Sequence, residues 1–393
     1  MKIRVGVFFG GQSVEHEVSV ISGIQALNSI DRDVYEPIPI YISRESQMFV
    51  GADVGDISSY KNIKELLSKS QRILLCNTGN KVEMLRHPPK RFSSNFLGSL
   101  DIAFPVVHGT NVEDGSLQGY FRSIPIPFVG CDCLASACCM DKYMMKAILK
   151  DNDIPVLDCV QFDSSQYAQD DGKLIPSIME KIGFPCIVKP TDLGSSVGIK
   201  KAKDPESLAE AIDYALQFSQ RALVERAVTN LREINCAVLG DYENARASEC
   251  EEPIGTDEIL SYENKYGGGS KGMAGTQRKL PADITPEQRE KIRDLAVKAF
   301  KSLNCNGVVR IDFLMEGSTG EIWLNEINTI PGSLSFYLWE PVGLKYPKLL
   351  DEMIKLGLKR EREKANLSFS IDTSILANAN IGIKGGSKGF VKR

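Results

Sequence analysis

The sequence predicts an α/β protein with two or three domains, and three observations lead to this prediction. At 393 residues the chain is too long for one ordinary hydrophobic core. In the first third of the chain, apolar runs typical of buried strands alternate with runs of helical periodicity, which indicates a parallel sheet. In the last third, two strand-like segments carry polar residues at every second position, which indicates another sheet with one polar face.

The composition is that of an ordinary globular protein, with 25% charged and 42% hydrophobic residues. A net charge of -4 gives no basic footprint, so nucleic acid is not an expected partner. No apolar run reaches the ~18 residues of a membrane span, and the first residues lack the apolar core of a signal peptide. We therefore expect a cytoplasmic protein without a membrane partner.

The ten cysteines predict neither disulfides nor a zinc site. Cys131, Cys133, Cys138 and Cys139 are crowded, but no C-x-x-C pair repeats and the chain has only three histidines. We expect reduced thiols, as in a reducing compartment.

The N-terminal elements bring small and acidic residues to the ends of strands. "KIRVGVFFGG" is typical of a buried strand that enters a tight turn, and "SVEHEVSVISGIQALNSI" has helical spacing with Ser13 as its predicted N-cap. "YEPIPIYIS" and "DIAFPVVHG" predict further strands. Glu15 at the helix start suits a substrate ammonium, although an acidic residue there also simply complements the helix dipole. His108 and Gly109 form a second junction between a strand and a loop.

The middle of the chain starts with "MDKYMMKAILKDNDIPVLDCVQF", which predicts a helix followed by a strand. "CIVKPTDLGSSVGIKK" then predicts a hairpin with a small-residue tip, in which Lys189 ends the first strand. The tip matches neither a Walker A loop nor a G-x-G-x-x-G fingerprint. Backbone N–H groups and hydroxyls of Ser195 and Ser196 suit phosphate oxygens, although an ordinary surface hairpin explains the same residues.

Two glutamates follow in "ALVERAVTNLREINCAVLG". Glu225 ends a short strand, where the backbone suits the edge of an adenine ring, and Glu233 suits ribose hydroxyls. Plain surface charge explains both glutamates equally well.

The C-terminal strands "VVRIDFLM" and "EIWLNEIN" carry the strongest chemical pattern. A three-residue turn, Ser318 to Gly320, predicts a hairpin in which Asp312 faces Glu326 and Arg310 faces Asn328. Carboxylate and amide oxygens on one sheet face suit Mg²⁺. A solvated strand face or an Arg–Asp ion pair would give the same pattern, but the apolar neighbours indicate that the opposite face is buried. Before these strands, "TPEQREKIRDLAVKAFKSLN" predicts a helix with Thr285 as its N-cap.

Taken together, these segments resemble the D-alanine–D-alanine ligases of the ATP-grasp superfamily, over residues from about 3 to about 360. The matching motifs, in the family's order, are "GGQSVEHEVSVISG", "HGTNVEDGSLQG", "ASACCMDK", "IVKPTDLGSSVGI", "LVERAV", "RIDF" and "NEINTIPG". The resemblance implies an ATP-grasp fold with an N-terminal parallel α/β domain. It divides the chain into an N-terminal domain at 1–135, a central lid domain at 136–238, a C-terminal domain at 239–364 and a tail at 365–393.

The resemblance also implies a reaction, in which ATP phosphorylates the carboxylate of one D-alanine and the amine of a second D-alanine attacks the acyl phosphate. The implied ATP-binding residues are Lys142, Lys189, Ser195, Ser196, Glu225, Arg226, Val228, Glu233 and Lys265. The implied ligands of two Mg²⁺ ions, or of Mn²⁺, are Asp312, Glu326 and Asn328. The residues implied to act on the substrates are Glu15, Ser195, Tyr266, Arg310, Gly332 and Tyr337.

Individual roles follow from the same match. Glu15 would hold the first substrate's ammonium and bond toward Ser195 and Tyr266, and Arg310 with the Gly332 N–H would stabilise the oxyanion. Lys265 and Tyr266 belong to a glycine-rich loop that would close over the site and exclude water.

One departure from the family concerns the acceptor. Tyr337 stands where the family commonly has a serine that helps to hold the acceptor carboxylate, so D-serine or D-lactate stays open as the acceptor. The closing loop has no histidine, which favours an amine acceptor over a hydroxy acid. A nucleotide-binding regulator without catalysis is a further alternative. The resemblance implies a homodimer formed through the first domain.

Overall fold

The computed structural model describes residues 2–79, 81–169, 172–194, 196–254 and 278–368. Its described strands form three sheets, of seven, four and five strands. The strands of the N-terminal sheet are β1 Ile3–Gly10, β2 Tyr35–Ile42, β3 Met48–Val50, β4 Gln71–Asn77, β5 Val82–Arg86, β6 Phe96–Leu100 and β7 Ile102–Pro105. The helices that accompany them are α1 His16–Ser29, α2 Ile63–Lys69 and α3 Ser116–Ser123.

The N-terminal sheet has the order β6-β5-β4-β3-β2-β1-β7. The predicted parallel sheet is present, because β1 pairs in parallel with both β2 and β7. Strands β3 to β6 extend it as an antiparallel meander that the sequence pattern did not reveal. The chain leaves β1 towards β2 on one side and returns in β7 on the other, so the loops after β1 and β7 meet at a switch point, where ligands bind in such sheets.

The first helix starts later than predicted. Its N-cap is Glu15, which makes no side-chain capping bond, so the prediction of Ser13 as the N-cap is wrong. The Ser13 hydroxyl instead donates to the carbonyl of His108 (2.8 Å) and accepts from the N–H of Glu15 (3.1 Å). Ser13 thus ties together the two loops at the switch point.

The central sheet has the order β10-β9-β11-β8, and its printed pairings are all antiparallel. Its strands are β8 Cys159–Asp163, β9 Cys186–Pro190, β10 Lys200–Ala202 and β11 Arg221–Arg226. The helices of this region are α4 Cys133–Met140, α5 Lys142–Asp151, α6 Ser164–Ala168, α7 Leu174–Lys181 and α8 Pro205–Ala215. β9 and β10 form the predicted hairpin. Leu208 and Ile212 of α8 pack with Val188 and Val224 of the sheet in one apolar core.

The C-terminal sheet has the order β14-β13-β12-β15-β16. Its strands are β12 Leu231–Gly240, β13 Ala245–Pro253, β14 Arg278–Lys279, β15 Gly307–Glu316 and β16 Ile322–Asn328. Its helices are α9 Pro286–Ser302 and α10 Tyr346–Ala365. α9 begins as predicted, with Thr285 as N-cap in a capping box. A domain boundary at residue 238 would divide β12, so we propose that the central domain ends before Leu231.

Helix α10 of the C-terminal region forms hydrogen bonds to the N-terminal region. The Arg360 guanidinium donates to the carbonyls of Gly130 (2.6 Å) and Phe128 (2.5 Å). The Tyr35 hydroxyl of β2 donates to Asp351 (2.9 Å). All ten cysteines are free thiols, as expected. Within the described ranges, no helix is long and apolar enough to cross a membrane.

The contact between α1 and β1 leads to a first prediction. A Cβ added to Gly23 of α1 would lie 2.3 Å from the Cβ of Phe9, so Gly23→Ala forces the helix away from the sheet. We expect a loss of about 1–3 kcal/mol in the free energy of unfolding, measured by urea titration. The control is Gly119→Ala in α3, where the nearest atom is 4.0 Å away and alanine should stabilise the helix slightly. Equal effects of the two changes would contradict this packing.

Candidate active site

The predicted register of β15 and β16 is confirmed, but the turn that sets it is different. Asp312 faces Glu326 and Arg310 faces Asn328. The loop has four residues, because the N–H of Glu316 already bonds to the carbonyl of Glu321 (2.9 Å). A β-bulge between Leu324 and Glu326 adds one residue and restores the predicted pairing.

One face of the C-terminal sheet is polar and carries a row of four directly opposed residues. The row consists of Glu251 in β13, Asn235 in β12, Asp312 in β15 and Glu326 in β16. The opposite face belongs to an apolar core that includes Ile311, Phe313 and Ile327. Since that face is already covered, the polar row is the side of the sheet that is available for ligands.

Arg310 and Asp312 form a bidentate ion pair on this face, with both N···O distances at 2.7 Å. Burial alone would lower the pKa of Arg310, but Asp312 more than offsets it and keeps the guanidinium charged. The Asn328 amide donates to the same carboxylate (3.0 Å). The Arg–Asp ion pair, which was the alternative to a metal site as an explanation of this polar pattern, is therefore present.

The ion pair does not remove the hard-oxygen ligands. Each carboxylate oxygen has further lone pairs, Glu326 lies directly opposite Asp312, and the Asn328 amide oxygen points away from its donating nitrogen. No cluster of three His, Cys, Asp or Glu side chains suited to a metal occurs in the described part of the chain. Two carboxylates and one amide therefore fit a divalent cation only with other oxygens, such as those of phosphates and water.

A buried charge network lies beside this row. Glu225 at the end of β11 is 1% exposed and forms ion pairs with Lys146 (2.7 Å) and with Lys189. Burial would raise the pKa of Glu225, but Lys189 and Lys146 together lower it to about 2. Lys189 also donates to the side chain of Asn325 (2.9 Å), the residue added by the bulge. This contact connects the central domain to the polar row of the C-terminal sheet.

Lys142 is buried near the same network, at the first position of α5. Its ammonium donates to the carbonyl of Leu193 (2.6 Å) in the hairpin tip, and its N–H donates to Thr191 (2.8 Å). Burial lowers the pKa of Lys142, and the nearby Lys189 charge adds to this effect. The lysine thus holds one side of the small-residue tip in place.

Glu15 faces the hairpin tip from the N-terminal domain. It is 8% exposed, and its carboxylate lies close to two glycines. A Cβ added to Gly109 would be 2.9 Å from Oε2 of Glu15, and a Cβ added to Gly194 would be 3.9 Å from the same atom. Gly109 has φ +84 and Ser196 has φ +59, so both turns use left-handed backbone. The hairpin tip, Glu15 and the loop after β7 therefore surround one cleft.

The loop after β16 closes this cleft from the C-terminal side. His108 bonds through Nδ1 to the carbonyl of Ile330 (2.7 Å), and Glu113 accepts from the N–H groups of Gly109 (2.7 Å) and Ile330 (3.2 Å). Burial, together with the neighbouring Glu15 charge, raises the pKa of Glu113 to about 8. The two residues fix the chain just before Gly332.

Beyond Gly332 the backbone makes a left-handed turn. Ser333, Leu334 and Ser335 have φ values of 48, 53 and 48, and all three are buried. The N–H of Ser333 donates to the hydroxyl of Ser22 in α1 (2.9 Å). The turn directly follows Gly332, whose role at the oxyanion stays a prediction.

Tyr337 follows this turn and meets the β13 end of the polar row. Its hydroxyl donates to Glu251 (2.7 Å), and the Arg278 guanidinium lies over its ring at 4.2 Å. Because a phenol has one proton, Tyr337 in this arrangement has none left for an acceptor carboxylate. The part of Tyr337 at the acceptor stays a prediction, and in this structure its hydroxyl proton goes to Glu251.

The remaining predicted ATP residues lie along the same side. Glu233 is in β12, two residues before Asn235 and hence on the polar face. Arg226 ends β11 with its guanidinium over the Trp323 ring (4.6 Å), and Val228 follows, half-buried. Ser195, Lys265 and Tyr266 lie outside the described residues.

Comparison with known proteins shows the family of this chain. The family model for the D-ala D-ala ligase C-terminus matches residues 148–355, and the model for the N-terminus matches residues 4–131. The chain belongs to the D-alanine–D-alanine ligase family. A D-alanine–D-alanine ligase of Thermosipho melanesiensis is 40% identical over 375 residues, which cover 95% of this chain and 98% of the relative. A D-alanine–D-alanine ligase A of Chromobacterium violaceum is 38% identical over 381 residues, covering 94% and 99%.

Solved structures of ligases give the same result for the fold. The VanG D-Ala:D-Ser ligase from Enterococcus faecalis has a TM-score of 0.76 at 29% identity, covering 91% of this chain and 100% of that one. The D-alanine–D-alanine ligase from Coxiella burnetii has a TM-score of 0.76 at 28% identity, covering 93% and 97%. The fold is therefore the predicted ATP-grasp fold with an N-terminal α/β domain.

Sequence reasoning missed several residues of this ligase site. These are Lys146, Asn325, Glu113, Glu251 and Arg278. Lys146 lies one turn after Lys142 on α5, so helical spacing placed it on the same face. His108 and Gly109 were recognised as a junction, but nothing in the following "NVEDG" distinguished Glu113 from Asp114. Asn325 was missed because its position depends on the bulge, and the sequence shows no signal of that bulge.

The raised pKa of Glu113 leads to a prediction for the ligase without substrates. From pH 4.5 to about 8 the unfolded chain loses this proton while the folded chain keeps it, so stability should fall as pH rises. Glu113→Gln should remove this fall in stability. The fall amounts to a few kcal/mol at most, since a shift of one pKa unit corresponds to about 1.4 kcal/mol. Urea midpoints measured at several pH values would show the difference. Glu17→Gln, at an exposed carboxylate, is the control, and equal slopes in the two variants would refute the assignment.

The buried network leads to a second prediction. Lys146→Met leaves Glu225 with Lys189 alone and should cost about 3–5 kcal/mol of unfolding free energy, because a buried pair is broken. Lys150→Met, one turn further on α5, breaks only an exposed pair with Asp158 and should cost less than about 1 kcal/mol. Denaturant titration compares the two. A similar cost for both would mean that Lys146 does not hold Glu225.

Proposed function

We propose that this chain joins two D-alanines to D-alanyl-D-alanine at the expense of ATP, through an acyl phosphate, for peptidoglycan precursor synthesis. The supporting observation is the contact between Lys189 and Asn325, which brings buried lysines next to the carboxylates of the polar row. Cations suited to phosphate and oxygens suited to a divalent ion then lie in one cleft. The curated relatives with 33–40% identity are named as D-alanine–D-alanine ligases.

In this proposal Lys142 and Lys189 bind the phosphates of ATP, helped by the backbone of Ser195 and Ser196. Lys146 and Lys189 pair with Glu225, and Lys142 lies near Glu326, Lys189 and Glu225. Ammonium groups in this position are complementary to phosphate oxygens. The backbone of Arg226 and Val228, with Glu225, would hold the adenine, and Glu233 the ribose.

Asp312, Glu326 and Asn328 would hold the divalent ions, for which we propose Mg²⁺, with Mn²⁺ as an alternative. When bound, such ions neutralise the charge of the transferring phosphoryl group. The Arg310–Asp312 pair orients the guanidinium of Arg310, whose Nη1 takes no part in that pair. Asp312 would therefore position Arg310 as well as bind a metal.

Glu15 would bind the ammonium of the first D-alanine at the junction of the two loops. The pKa of its neighbour Glu113 is raised by burial and by the Glu15 charge, which disfavours a second carboxylate charge beside that ammonium. Arg310 and the Gly332 N–H would stabilise the negative oxygen of the tetrahedral intermediate. Lys265 and Tyr266 would close the cleft and protect the acyl phosphate from water.

Two further parts of the proposal concern the assembly and the acceptor. We propose a cytoplasmic homodimer formed through the N-terminal domain. D-alanine is the proposed acceptor, and D-serine is the alternative to test, because a neighbour in structure is a D-Ala:D-Ser ligase.

The first test measures ADP release with ATP, Mg²⁺ and D-alanine, with the dipeptide identified by mass, and repeats it with D-serine and D-lactate added. Asp312→Asn and Glu326→Gln should each reduce turnover at least about a hundredfold, because both remove charge from the phosphoryl-transfer site. Asp294→Asn, an exposed residue of α9, should retain the activity of the unaltered chain.

Other outcomes would revise the proposal. Near-normal rates of Asp312→Asn would refute the metal assignment. Product only from a D-alanine and D-serine mixture would change the acceptor, and no turnover with any acceptor would favour a regulator.

A further inference from the structure

The acceptor end of the cleft contains two arginines that flank Tyr337. Arg278 lies over the Tyr337 ring at 4.2 Å, and Arg310 is close enough to influence the Tyr337 phenol electrostatically. Arg310 comes from β15 and Arg278 from the short strand β14. The residues converge although 32 positions separate them in the chain.

Glu251 is the residue that organises this end. It is 3% exposed and accepts three bonds, from Tyr337 (2.7 Å), from the Asn235 amide (3.1 Å) and from Arg278 (3.3 Å). A carboxylate with three donors is held in one orientation and in turn fixes its donors. The Tyr337 hydroxyl and one guanidinium nitrogen of Arg278 are occupied by it.

This bonding excludes the Tyr337 hydroxyl as the donor to the acceptor carboxylate. Its one proton goes to Glu251, and the phenol oxygen that remains can only accept. An acceptor carboxylate needs donors or positive charge. Arg278 is a cation beside Tyr337, and its side chain is 23% exposed.

We propose that Arg278 binds the carboxylate of the acceptor amino acid together with Arg310, and that Tyr337 and Glu251 are positioning residues that hold Arg278 in place. The inference rests on the proposed ligase function. The Tyr337 ring supports the guanidinium from one face, as arginine stacks on aromatic rings, and Glu251 fixes its rotation. Tyr337 stands where the family commonly has a serine, and its larger side chain then supports a second arginine.

An internal competition tests the inference. The ligase receives ATP, D-alanine and an equal concentration of D-alaninamide, which has no carboxylate and can act only as acceptor. Mass spectrometry gives the ratio of D-alanyl-D-alanine to D-alanyl-D-alaninamide. This ratio compares the two acceptors on the same enzyme, so it does not depend on ATP affinity or on the fraction of folded protein.

Arg278→Gln should shift the ratio towards the amide by about tenfold or more, because a charge-assisted bond to the carboxylate is lost. Arg278→Lys keeps the charge without the planar stack and should shift it less. Lys279→Gln is the matched control: its exposed ammonium pairs with Asp283 and lies on the other side of β14, and the ratio should stay unchanged.

Variants of Tyr337 separate the ring from the hydroxyl. Tyr337→Phe keeps the support for Arg278 and should leave the ratio within about threefold, whereas Tyr337→Ala removes the support without adding a hydroxyl and should shift the ratio as Arg278→Gln does. A large shift in Tyr337→Phe with none in Arg278→Gln would overturn the inference, since the hydroxyl would then bind the acceptor.

The outcomes also distinguish the two proposals. Dipeptide from the unaltered chain together with an unchanged ratio in Arg278→Gln and Arg278→Lys would refute the role of Arg278 alone. No dipeptide from the unaltered chain would refute the ligase function and, with it, this role.

Discussion

The buried ion pairs of Glu225 are the interaction on which the rest of the cleft depends. Removing a carboxylate and two ammonium groups from water is costly, and the cost is offset only where charges meet directly. Lys146 comes from α5, Lys189 from β9 and Glu225 from β11, so the pairing fixes the helix that enters the central domain against its sheet. Through Asn325 it also fixes that sheet against β16. The position of Lys189 and Lys146 relative to the polar row follows from this network.

A second constraint is the left-handed turn at 333–335. Each non-glycine residue with left-handed backbone costs roughly 1–2 kcal/mol, so the turn persists only because its surroundings determine it. Leu334 is 1% exposed in the N-terminal core, and the turn is bonded to Ser22 of α1. The strained segment therefore joins the domain that holds Glu15 to the strand that holds Glu326. Relaxing it would move Gly332 and Tyr337 together.

The sequence predicted the fold class and most of the elements, because those depend on local periodicity. It also predicted the opposition of Asp312 and Glu326, but from a turn length that the structure does not have. The predicted turn of that hairpin was one residue too short, and the bulge at Asn325 compensated for it. Bulges depend on what the strand meets in space, which a single sequence does not show. Lys146 was missed for a related reason: a lysine at helical spacing is ordinarily exposed, and its burial depends on Glu225 from a distant strand. The antiparallel strands β3 to β6 were not predicted, because they are short and their periodicity is weak.

The charges along the polar row explain why two arginines, Arg278 and Arg310, lie beside it. The row holds three carboxylates, Glu251, Asp312 and Glu326, within four adjacent strands. Like charges so close would repel one another without compensation. Arg278 pairs with the first and Arg310 with the second, while Glu326 lies near the charge of Lys142. In the proposal above, the two arginines that stabilise the acidic row also bind the substrate carboxylate. Stability of the row and recognition of the acceptor then have the same physical origin.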